Sequence, residues 1–101
     1  MPRLRLDPNI RKENIIQSAL AVTRQLGLAR VTREAVAKHA EVADGTVSHY
    51  YNTMKQLRRA VARRAMAEGD PTILSMLLSD PTYKGKLSPE HKAIAISHLQ
   101  G

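Results

Sequence analysis

A chain of 101 residues is the size of one small domain, enough for one modest core but not for a catalytic cleft plus a separate regulatory domain. It has no cysteine, which excludes disulfides, zinc–thiolate sites and thiol chemistry, and with no Phe or Trp its core must come from Ala, Val, Ile, Leu, Met and Tyr. The formal charge is +7 and unevenly spread: thirteen Lys/Arg face five Asp/Glu through residue 64, and three face four beyond it. That asymmetry favours a nucleic-acid face in the first two thirds and a different role for the tail.

Asp7-Pro8 opens the first helix with a cap and a proline tolerated at the first helical position. Ile15, Ala19, Val22 and Leu26, with Ile16 and Leu20 beside them, form one apolar helical stripe that Gly27 ends. Thr32 caps a short helix from Arg33 to about His39, with Val36 and Ala40 facing inward and Glu34 in the first turn, where the helix dipole favours an anion. Glu41 to Asp44 breaks the run, and a second short helix spans about Gly45 to Tyr51. Thr53-Met54-Lys55-Gln56 is a capping box opening a fourth helix that runs to about Glu68. On it Leu57, Val61 and Ala65 point inward, while Arg58, Arg59, Arg63 and Arg64 read as a solvated face. Gly69 closes it. Asp70-Pro71 starts a fifth, strongly apolar helix to about Ser79, a loop covers residues 80–87, and Ser88-Pro89 starts a sixth with Ala93, Ile94, Ile96 and Leu99. No segment alternates like a strand, so the expected fold is all-α.

The stretch from Thr32 to Tyr51 decides the functional reading. Two short helices joined by a turn too tight for antiparallel packing, with longer helices on either side, have the layout of a helix-turn-helix, whose second helix enters the major groove. Here the chain resembles the DNA-binding domain of tetracycline-repressor-type (TetR-type) regulators. Gly27, Thr32, Val36-Ala37, Ala40, Val42, Gly45-Thr46-Val47, Tyr50-Tyr51 and Leu57 fill places of that family's pattern over about residues 10–65. There are four departures. Glu41 stands for the family's Gly, Ala43 for its capping Ser and Ser48 for its Tyr, while the Lys before helix 4 falls at Met54, with Lys55 one place later. They bear on the turn and on base preference more than on the fold.

The resemblance implies roles. Thr46 and Tyr50 are expected to touch phosphate, with Gly45 beside them, and Lys55 to replace the family Lys as a phosphate contact. Ser48 and His49 are expected to read base edges, Arg33 to reach a phosphate or a guanine, and Val47 and Tyr51 to be core. Asp44 either caps the recognition helix, the preferred reading, or accepts from cytosine N4. Blander readings stand beside these: a half-buried Tyr50, a solvated His49, and an Arg33 paired to a nearby acid. Arg3 and Arg5 are candidates for a minor-groove arm.

The expected product is a transcriptional repressor that binds duplex DNA at an inverted repeat as a homodimer. Residues 1–69 would form the DNA-binding region and residues 70–101 a short dimerisation segment. Ile73, Leu74, Leu77, Ile94 and Leu99 are the expected interface, since so many apolar residues cannot all face one small core. The alternative is that this segment folds back on helices 1 and 4. The roughly 30 residues after helix 4 are too few to enclose a pocket of ~300–1,000 Å³, so no small-molecule inducer is expected. No cofactor or metal is expected either. His91 and His98 lie about 10 Å apart along a helix, too far to share a metal, and no catalytic motif is visible, so an enzyme is not expected. With three tyrosines as the only aromatics, a base-stacking single-strand binder fits poorly. A protein-interaction module without specific DNA binding is the competing reading. No apolar run approaches the ~20 residues of a membrane span, and Met-Pro-Arg-Leu-Arg does not open a signal peptide; a cytoplasmic chain is the expectation.

Overall fold

The computed structural model describes residues 8–101, so the expected Asp7 cap and the Arg3/Arg5 arm lie outside the described residues. Six α-helices follow one another: α1 Pro8–Leu26, α2 Arg33–Ala40, α3 Asp44–Tyr50, α4 Met54–Glu68, α5 Pro71–Leu78 and α6 Pro89–Gln100, with a 3-10 turn at Lys84–Lys86. There is no strand among the described residues.

The helix ends are set by local chemistry. Gly27 (φ 95°) closes α1 by donating to the carbonyl of Thr23 at 2.8 Å. Thr32 Oγ1 accepts from the amide of Ala35 at 3.1 Å and starts α2. Thr53 and Gln56 satisfy each other reciprocally at the start of α4, with Gln56 Oε1 also accepting from the amide of Asn52 at 2.8 Å. At the far end Gly69 turns left-handed (φ 66°), letting the amide of Asp70 reach the carbonyl of Ala65 at 2.9 Å. Ser88 opens α6 with a second reciprocal cap, this one closed by His91, whose Nδ1 accepts from the amide of Ser88 at 3.3 Å. His91 Nε2 lies 2.9 Å from the carbonyl of Met66. A carbonyl only accepts, so the ring is the Nε2–H tautomer and ties α6 to the end of α4.

One continuous core runs through the chain. Ile15, Ala19 and Leu20 of α1, Val36 of α2, Val47 of α3, and Leu57, Val61 and Ala65 of α4 are buried in it. Leu28 and Val31, in the connection after α1, are buried with them. Leu26, expected at the end of the α1 stripe, is instead 44% exposed, although Thr23 one turn earlier is fully buried.

The expected interface needs correction at three positions. Ile73, Leu74 and Leu77 are each 0% exposed within the single chain. α5 folds back on α1 and α4 and is covered on its other side by α6, so Ile73, Leu74 and Leu77 are spent inside the protomer while Met76 and Leu78 stay partly exposed. Ile94 is half-buried, and only Ile96 (46%) and Leu99 (64%) present large apolar surface on α6. α5 is held at its N-terminus by Asp70. Its Oδ1 accepts from the amide of Ile73 at 3.0 Å, while Oδ2 takes Arg24 of α1 at 2.6 Å.

Candidate nucleic-acid interface

The turn between α2 and α3 is short because Glu41 is left-handed (φ 59°, ψ 44°). Its amide donates to the carbonyl of Lys38 at 3.3 Å and that of Val42 to Ala37 at 3.0 Å, the bond pair that usually ends a helix at glycine. The backbone therefore takes the path a glycine would give it, and the carboxylate-bearing residue carries the strain, about 1–2 kcal/mol for an L side chain.

α3 begins at Asp44. Its N-cap is Ala43, in extended geometry and without a side-chain cap bond. This corrects the preferred reading of Asp44 as the cap: one residue too late, its exposed carboxylate sits in the first turn, where the dipole favours an anion. Buried Val47 and Tyr51 lock the inner side of α3 to the core, as expected. The opposite side is presented outward. Gly45 and His49 are exposed and Thr46, Ser48 and Tyr50 half-exposed.

Gly45 has helical backbone, and a Cβ built on it meets no atom within 4 Å. Nothing inside the chain requires glycine there, yet glycine weakens a helix by about 0.5–1 kcal/mol relative to alanine. The His49 and Tyr50 rings meet edge-on at 5.1 Å between centroids. Tyr50 also packs on the rim of the core, so the half-buried reading holds for its ring. The hydroxyls of Thr46, Ser48 and Tyr50 make no hydrogen bond among the described residues.

Arg33, half-buried at the start of α2, donates from Nη1 to the carbonyl of Asn52 at 2.5 Å. It binds a backbone carbonyl rather than an acid and ties α2 to the turn after α3. Lys55 is exposed in the first turn of α4 and has no carboxylate partner among the described residues. The structure thus puts Gly45, Thr46 and His49 on the outward face of α3, with Ser48 and Tyr50 on its two flanks. Arg33 and Lys55 stand at the N-termini of the flanking helices.

The four arginines of α4, expected as one solvated face, divide into different environments. Arg64 is paired at 2.6 Å to Glu13 of α1 and at 3.4 Å to Glu68. Its hydrogen bonds hold the Glu13 carboxyl down at about 2, and Glu13 in return raises the Arg64 guanidinium. Arg58 donates to the carbonyl of Leu28 at 3.3 Å. Arg59 and Arg63 carry no such partner among the described residues. The signal available was the Lys55, Arg59, Arg63 spacing of four.

Comparison with known proteins gives the same segment. Residues 15–61 match the bacterial regulatory proteins of the tetR family. The chain is 32% identical over 68 residues to the HTH-type transcriptional regulator BetI 2 of Chromohalobacter salexigens, covering 67% of this chain and 32% of that protein. It is 32% identical over 85 residues to BetI of Ectopseudomonas mendocina (70% and 43%), and 29% identical over 79 residues to BetI of Pectobacterium carotovorum subsp. carotovorum (78% and 40%). The chain thus spans roughly a third to two fifths of the length of these relatives. No solved structure gives a significant match.

Proposed function

The helix-turn-helix of this chain belongs to the tetR family of bacterial regulatory proteins, and we propose that the chain is a sequence-specific duplex-DNA-binding regulator that represses transcription from a palindromic operator as a homodimer. One observation carries this reading. The outer side of α3 carries an open glycine, hydroxyls with no partner among the described residues and an exposed imidazole, on a helix whose inner face is locked to the core by Val47 and Tyr51.

On this reading Ser48 and His49 meet base edges, and Asp44, free of capping, is the acceptor for a cytosine amino group. Thr46, Tyr50 and Lys55 hold phosphates, and Arg33 offers its remaining N–H groups to a phosphate or a guanine. Residues 1–69 do this work and residues 70–101 carry the second-copy contact. Because Ile73, Leu74 and Leu77 of α5 are buried inside the protomer, that contact falls to the exposed side of α6, on Ile96 and Leu99 with Ile94 at its edge. A two-fold axis there gives inverted half-sites about one helical turn apart.

Selection from a random duplex pool tests the reading and should enrich an inverted repeat; recovery of no common sequence refutes it. With ~6–10 phosphate contacts, affinity should drop ~10³–10⁵-fold between 50 and 200 mM salt. Leu99→Asp should turn a sedimenting dimer into a monomer and weaken operator binding, and an unchanged dimer moves the two-fold axis elsewhere.

A further inference from the structure

Among the described residues most of the cations are without a carboxylate partner in the chain. Arg24 and Arg64 are neutralised by carboxylates of the same chain. Lys55, Arg59, Arg63 and Lys86 are not, among the described residues. Lys55, Arg59 and Arg63 recur at a spacing of four on α4 and share one face about 12 Å long. Against it the 80–87 loop lays buried Tyr83 and Lys86, whose Nζ sits 5.6 Å from the Tyr83 ring centroid. Between helix and loop lies an open groove of about 560 Å³, walled by Lys55, Arg58, Arg59 and Lys86 over a floor of Leu28 and Tyr83. Smaller depressions continue it, to Thr53 and Gln56 at one end and to Arg63 and Met66 at the other, with Arg59 lining all three.

With α4, the stretch that follows it walls a concavity of ligand size. The fold has brought a loop cation onto an already cationic helix face. Asp80 is the one acid in the lining of the main groove, and its Oδ1 is already taken by the amide of Thr82 at 2.8 Å. Like charges gathered around one depression repel and raise the local concentration of anions. Guanidinium forks on one wall and an ammonium on the other suit an anion with several oxygens and more than one charge.

We propose that this groove binds phosphate groups, supplied either by a free phosphorylated small molecule or by the DNA backbone passing Lys55. The first source is independent of the proposed operator binding, and the second rests on it.

The full chain is titrated calorimetrically with sodium pyrophosphate and with ATP in the absence of DNA. Its selected duplex is then titrated at several salt concentrations. Both arms are repeated with Arg59→Gln/Lys86→Gln, whose two side chains are exposed and whose melting curve is checked first, and with Lys92→Gln, an exposed cation of α6 outside the groove. Binding of pyrophosphate or ATP that falls on the order of tenfold in the double variant, but not in Lys92→Gln, establishes a free phosphorylated ligand. No anion binding, with the slope of log K against log salt shallower by about 0.9 per cation removed, establishes the DNA backbone. A double variant equal to the wild type in both arms overturns the proposal, and wild-type operator selection in the same experiment shows separately whether the helix-turn-helix reading stands.

Discussion

Gly45→Ala should make this protein more stable and worse at binding DNA. Gly45 is the second residue of α3, its backbone is helical, and the space where a methyl would go is empty to 4 Å. Alanine therefore restrains the unfolded chain and meets no atom in the folded one. The full Gly-to-Ala difference in a helix interior is about 0.8–1.0 kcal/mol, and in the first turn about half to all of it is expected. For a domain of this size that is about 2–8 °C in melting temperature. Empty space on an outward helix face is also where a DNA backbone can come closest. A methyl that pushes a phosphate out of hydrogen-bond range should remove one charge-assisted bond, about 1.5–3 kcal/mol, or roughly 10–150-fold in affinity. Thermal melting by circular dichroism and fluorescence anisotropy on the selected duplex read the two effects separately. A variant that is more stable and binds DNA as tightly as the wild type would refute the placement of Gly45 against a phosphate. A less stable one would refute the account of α3 itself.

Glu41→Gly should raise stability by about 0.5–1 kcal/mol, since relief of the left-handed strain exceeds the added freedom of the unfolded chain; the urea midpoint checks this, and a loss of stability contradicts the turn geometry. Asp70→Ala should cost about 1–3 kcal/mol, because the Ile73 amide loses its acceptor and Arg24 its partner, with Asp70→Asn recovering the capping part only. His49→Ala should relax preference at one base position per half-site, about 1–3 kcal/mol there, while Lys55→Ala weakens all sequences alike; a sequence-dependent loss in Lys55→Ala reverses those roles. Glu13 titrates at about 2 in the folded chain against an ordinary 4.5, so its contribution is complete above the higher value and disappears as pH falls toward the lower. Both partners are partly exposed to solvent, which limits the contribution to about 0.2–1 kcal/mol. Glu13→Gln should therefore lower the denaturation midpoint at pH 7 and match the wild type once the wild-type carboxyl is protonated.

The elements and their ends were legible residue by residue, because capping is local. Thr32, the Thr53/Gln56 box, Gly69, Asp70 and Ser88 each act within one turn of the chain, so their spacing alone states where helices begin and stop. The helix-turn-helix was legible for a related reason: its whole pattern lies within residues 27–57, and buried Val47 and Tyr51 stand at its expected inner positions. What depends on distant partners was not legible. Whether α5 faced a second copy or its own core turned on α6 covering it, a contact between segments that do not encode each other's position. Asp44 and Ala43 differ as caps by a single residue of register, which backbone geometry decides and composition does not. The four arginines of α4 look alike in sequence. Only packing pairs Arg64 with Glu13, 51 positions away, and leaves Arg59 beside Lys86, because side-chain charges find their partners through space.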